Sequence, residues 1–146
     1  MKKLFIAAIM VVTLTASAFA APVKVNVRIT SSFEKDFATA TNLSWTLNNS
    51  YAKASFLLDG KAVEAFYDLG GEKIGVSKAI TVSCLPKKAQ SVLTSKYADY
   101  KVTEAISFDK AEEGETHYVS MENEKSKVVL EVSAAGDVSL FSKKLK

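Results

Sequence analysis

The chain has 146 residues, 48% of them hydrophobic and 24% charged, with a net charge of +3, one cysteine and one histidine. That length suits one domain with a modest core, and the lack of a Lys/Arg cluster argues against nucleic-acid binding. A lone cysteine cannot form an internal disulfide, and one His and one Cys far apart in sequence fall short of the ligands zinc needs.

The chain opens on a basic "MKK", an apolar "LFIAAIMVVTL" and a small-residue "TASAFA". This is the three-part layout of a secretory signal peptide. Ala18 and Ala20 form the A-x-A site, so cleavage is expected after Ala20. The apolar run of about eleven residues is well short of the roughly 20 needed to span a bilayer. Residues 1–20 are therefore expected to be removed, placing the protein in the periplasm or outside the cell. With Lys2 and Lys3 gone, the net charge of the remaining domain, residues 21–146, falls from +3 to +1.

After the leader, "VKVNVRI" alternates and reads as a strand or an extended lead-in. Ser31 with Glu34 three residues on makes a possible capping box for a first helix. Phe33 and Phe37, spaced i, i+4, share one face of it. Period-two alternation follows. In "NLSWTL", Leu43, Trp45 and Leu47 point one way. In "YAKASFLL", Ala52, Ala54, Phe56 and Leu58 oppose Tyr51, Lys53, Ser55 and Leu57. "DG" at Asp59-Gly60 is a hairpin turn. In "KAVEAFYDL", Val63, Ala65, Tyr67 and Leu69 oppose Ala62, Glu64, Phe66 and Asp68. Gly70-Gly71 turns the chain into "KIGVSKAITV", where Ile74, Val76, Ile80 and Val82 keep the alternation. Cys84 reads as a small buried residue at a strand end. Pro86 suits the first position of a second helix, with Leu85, Ala89, Val92, Leu93 and Tyr97 as its apolar stripe. "KVTEAISF", "THYVSM", "KVVLEV" and "DVSLF" complete the strands, joined by the polar loops "KAEEGE" and "ENEKS".

The order helix then four strands occurs twice, over about residues 30–82 and 85–143. Phe37 aligns with Tyr97, Val63, Ala65 and Tyr67 with Val128, Leu130 and Val132, and Gly71 with Gly136. The expected class is α+β: two tandem helix-plus-four-strand units forming an antiparallel sheet packed on two helices, with one face covered and one open.

Chemistry-bearing motifs are sparse. His117 reads as an exposed or edge-strand histidine, and no G-x-S-x-G elbow accompanies it. Asp68, Glu72, Glu112, Glu113 and Glu115 lack calcium-loop spacing. The glycines of "DLGGEKIG" lead into a strand, not a helix, so they form no phosphate loop. No catalytic residue, metal site or cofactor is expected. Trp45, Phe56 and Tyr67 share the inward parity and read as core. Tyr51, Lys53, Leu57 and Phe66 fall on the other parity and form the candidate partner-binding face, since aromatic side chains dominate interface energetics.

"FEKDFATATNLSW", "AKASFLLDGKAVEAFYDLGGEKIGVSKAI" and "LPKKAQSVLTSKYADYKVTEAISF" together resemble the exported beta-lactamase-inhibitor-like, PepSY-like family common in Bacteroidetes. The resemblance covers about Phe33 to Leu140. One departure is Ala38, where the family often has proline after the helix aromatic. The resemblance implies one curved antiparallel sheet backed by two helices, and no settled activity. Inhibitor proteins of this architecture bind an enzyme through the open sheet face and turn loops, and PepSY domains are suspected of restraining peptidases. No inhibitory motif matches here, so none is carried over. The expected function is a non-catalytic exported binding module for a protein or peptide, with an envelope small-ligand carrier as the alternative and an enzyme built on His117 or the loop carboxylates as the third reading.

Overall fold

The computed structural model describes residues 23–146. The expected leader and its cut after Ala20 lie outside the described residues. Helix α1 (Val27–Asp36) is followed by β1 (Thr41–Leu47), β2 (Tyr51–Leu58), β3 (Lys61–Asp68) and β4 (Lys73–Ala79). A 3-10 turn, Val82–Cys84, leads into α2 (Lys87–Lys96), then β5 (Lys101–Lys110), β6 (Gly114–Glu122), β7 (Ser126–Val132) and β8 (Val138–Leu145). The strands form one sheet in chain order, every neighbour antiparallel.

The start of α1 corrects the sequence reading. "VRIT" belongs to the helix, and Ser31 lies inside it, not at its cap. Asn26 caps instead, its side chain accepting from the Arg28 N–H at 3.0 Å. Asparagine is among the best N-cap residues, and this bond satisfies one of the first-turn donors. Ile29 and Phe33 are then one turn apart, and both are buried. The tertiary contact outweighs the extended preference of Val27, Ile29 and Thr30. In α2, Pro86 is the N-cap, one residue before the expected place.

Both helices pack on the same face of the sheet. Under α1, Ile29 and Phe33 meet Ala52, Ala54, Phe56, Val63, Ala65 and Tyr67. The alanines of β2 and β3 leave room for the Phe33 ring, which stands edge-on to Phe56 at 4.9 Å and to Trp45 at 5.4 Å. Burying one such ring contributes about 1.5–3 kcal/mol. Under α2, Leu85, Ala89 and Leu93 meet Ala105, Val119, Met121, Val128, Leu130 and Val132. The inward parity read from the sequence for β2 and β3 is the one observed.

Two turns tie the sheet to the helix starts. In the β3–β4 turn, Gly71 (φ +97°) lies so close to α1 that a Cβ would sit 3.1 Å from the Arg28 backbone. In the β7–β8 turn, Gly136 (φ +88°) is in the same position against Pro86 and Lys88 of α2. Asp68 Oδ1 accepts from the Gly70 and Glu72 N–H groups, each at 2.9 Å, so these acidic residues build the turn.

The other face departs from the open surface expected. Phe66, Ile106, Phe108 and Tyr118 form a third buried cluster there, with Tyr51, Ile74, Val129 and Phe141 against them. No helix residue takes part, so the strands themselves bring these rings together, which requires the sheet to bend toward this face. A bulge in β4 helps. The register slips between Phe66 and Tyr67, and Ile74 enters this cluster instead of sharing a face with Val76. Gly75 makes room for the Phe108 ring, which a Cβ there would meet at 2.8 Å.

Candidate functional site

Strand β2 alternates Tyr51, Lys53, Ser55 and Leu57 away from the helices, because Ala52, Ala54 and Phe56 are drawn to the helical side. The register sets Lys53 opposite Phe66 and Leu57 opposite Ala62. The four candidate residues therefore share a face, but their roles differ. Phe66 is 1% exposed, so it is a support and not a contact residue. It lies edge-on between Tyr51 at 5.7 Å and Phe108 at 5.8 Å. Tyr51 and Lys53 remain half-buried above it. Leu57 is six residues along the strand from Tyr51, roughly 20 Å away, and does not join this group.

Two acidic residues that the sequence did not single out lie on this face, Glu64 beside Lys53 and Glu104 within reach of the Glu64 charge. Lys53 Nζ is 3.2 Å from Glu64 Oε1, and the Ser55 hydroxyl donates to the same oxygen at 3.4 Å. Glu64 Oε2 is buried with no hydrogen-bond partner. Burial, with the Glu64 charge second, pushes the Glu104 carboxyl on β5 above the usual carboxylate range. Glu64 was readable as a companion of Phe66 on the outward parity. Glu104 was not, because it comes from the second half of the chain. Across the same face, the Tyr118 hydroxyl donates to Glu131 at 3.1 Å. Burial and that carboxylate raise the Tyr118 pKa well above its ordinary value. Tyr67, on the helical side, donates to Asp36 at 3.1 Å and is raised for the same reasons.

Two other residues depart from expectation. His117 lies on interior strand β6, opposite Ser107 and Val132, and its side chain is only 13% exposed. Central strands flank it on both sides, so it is neither exposed nor at an edge. Its Nε2 is 3.8 Å from Glu115, while its buried Nδ1 has no partner. Ser107, its cross-strand neighbour, is thus not hydrogen-bonded to Nδ1. Cys84 is exposed, at the end of the 3-10 turn, where the chain leaves the sheet before it can be buried. Hydrogen bonding with Thr81 holds its thiol below the usual value. Among the described residues no group of three or more His, Cys, Asp or Glu could hold a metal ion. None of their helices is long and apolar enough to cross a membrane.

One antiparallel eight-stranded sheet with two helices on one face defines a BLIP-like fold, and the solved structures agree. A DUF2874 family protein from Bacteroides uniformis matches with a TM-score of 0.74 at 14% identity, covering 84% of this chain and 90% of that one. A BLIP-like protein from Bacteroides fragilis matches with a TM-score of 0.69 at 21% identity, covering 84% and 87%. A protein from Bacteroides eggerthii, provisionally described as periplasmic, matches with a TM-score of 0.74 at 13% identity, covering 84% and 89%. Identities this low speak to the fold alone. No protein-family model matches the chain, and no curated protein matches it.

Proposed function

We propose that this protein is a non-catalytic binding module of the periplasm or the extracellular space, which contacts a protein or peptide through the sheet face away from the helices. The observation that carries this reading is the arrangement on β2 and β3. Tyr51 and Lys53 stand half-buried on a floor of packed rings, with Glu64 paired to Lys53 beside them. Tyrosine is among the residues that dominate interface hot spots. The sparse chemistry elsewhere and the likeness to a BLIP-like protein support the same reading. The finer version is that the module restrains an exported hydrolase or peptidase, as a PepSY-like domain would. The repeated order of helix and four strands, with Gly71 and Gly136 in matching turns, supports an origin of the two halves by duplication.

The test uses Tyr51→Ala/Lys53→Glu, because both residues are accessible and Phe66 is not. Partners cross-linked to the parent in periplasmic extract should be lost with the variant and kept with a control substituted on α2, Ser95→Ala. Equal capture by all three would overturn the proposal. A second reading, an envelope small-ligand carrier, draws on an open cleft bordered by Leu58, Val63, Lys78, Ile80, Cys84 and Ser107. It requires a ligand to co-purify and to be lost on Lys78→Trp, at an exposed residue of the cleft.

A further inference from the structure

Strand β1 is one of the two edges of the sheet. An edge presents a row of unpaired N–H and C=O groups, and natural edges resist pairing with charges, prolines or bulges. The other edge, β8, carries Lys143 and Lys144. By contrast, β1 reads "TNLSWTL", with no charge, proline or glycine. Its one protection of this kind is a bulge confined to its start, between Thr41 and Ser44, where Asn42 has φ 54°. From Ser44 to Leu47 it pairs regularly with β2.

The segment Asn42–Asn48, "NLSWTLN", reads the same from either end when Ser and Thr are taken as equivalent. Its centre is Trp45. Leu43 and Leu47 flank that residue, 43% and 42% exposed, on the helical side of the strand. Beside them runs an open cleft lined by Phe33, Phe37, Leu43 and Trp45. A two-fold interface uses one patch twice and must complement itself. An antiparallel strand that is symmetric about its own centre meets that condition.

We infer that β1 pairs antiparallel with β1 of a second copy of this chain, about a two-fold axis at Trp45, joining the two eight-stranded sheets edge to edge. The register sets Leu43 against the partner subunit's Leu47, Ser44 against the partner subunit's Thr46, and the two Trp45 rings against each other. Each cross-strand pair is then apolar on apolar or hydroxyl on hydroxyl, the kinds that stabilise antiparallel ladders. The charge pattern permits the same occupant. With no charged residue on β1, no like charges meet across the axis, whereas β8 paired with itself would bring lysines together. A contact of one short strand per chain is of the small class, so dimerisation depends on concentration. The edge is separate from the sheet face proposed above, and the two readings stand or fall apart.

The experiment is sedimentation equilibrium on the processed protein, purified after export. The parent should move from monomer to dimer mass as concentration rises. Leu47→Lys should weaken association by about tenfold, because the symmetry applies the change twice. Leu43→Glu/Leu47→Lys should restore it, since only a register centred on Trp45 sets each glutamate opposite a lysine. Leu140→Lys on β8 should leave it unchanged. A parent that stays monomeric throughout, an undiminished Leu47→Lys dimer, a double variant that does not recover, or an equal loss with Leu140→Lys would each overturn the inference.

Discussion

Gly71 and Gly60 both have positive φ, but only Gly71 is pressed against a helix. Gly60→Ala should cost only the left-handed backbone preference, about 1 kcal/mol, while Gly71→Ala adds a clash with α1 and should cost about 2–3 kcal/mol. Denaturant midpoints check the order, and equal shifts would mean that α1 is not held at this turn. At Cys84, the thiol should react with a disulfide reagent in the native state. Thr81→Val removes the bond that favours the thiolate, so the pKa rises and the reaction near neutral pH slows. An unchanged rate would remove Thr81 from that role. Glu104 has a folded-state pKa above its ordinary value, so the folded state binds the extra proton and stability falls as pH rises through that range. Glu104→Gln should therefore raise stability at pH 7 by up to about 0.5 kcal/mol, a small value because the group is only half-buried, and should change nothing near pH 4. Thermal melts at the two pH values make the comparison, and a destabilised variant at pH 7 would contradict it.

Among the elements, β2 and β3 were legible because their alternation has a strict period of two and a buried side to enforce it. Ala52, Ala54, Phe56, Val63, Ala65 and Tyr67 all face the helices as the pattern required. The start of α1 was not, because β-branched residues disguised a helix whose cap is Asn26. Asn26→Ala should cost about 1 kcal/mol, whereas Ser31→Ala should cost almost nothing, which chemical denaturation can separate. A larger effect at Ser31 would restore the capping box read from the sequence. The bulge in β4 was hidden for another reason. It lies next to Gly75, whose lack of a side chain admits the Phe108 ring, a contact between residues far apart in the chain.

For the whole molecule, the sequence pointed to one sheet with two helices, and to Tyr51, Lys53, Leu57 and Phe66 sharing one side of it. It could not tell that Phe66 would be covered. Burial on that face is a property of the bent sheet, which brings rings from β2, β3, β5, β6 and β8 together. Phe66 thus stiffens the floor, and its replacement by alanine should destabilise the protein by about 3–5 kcal/mol. The proposed binding belongs to Tyr51 and Lys53, which stand above that floor. The most direct measurement places a photo-crosslinking amino acid at Tyr51 and, separately, at Ser95 on α2, with irradiation in the export compartment. The proposed binding face should give a discrete protein or peptide adduct from position 51 that position 95 does not give. The same adducts from both positions, or none from position 51, would contradict it.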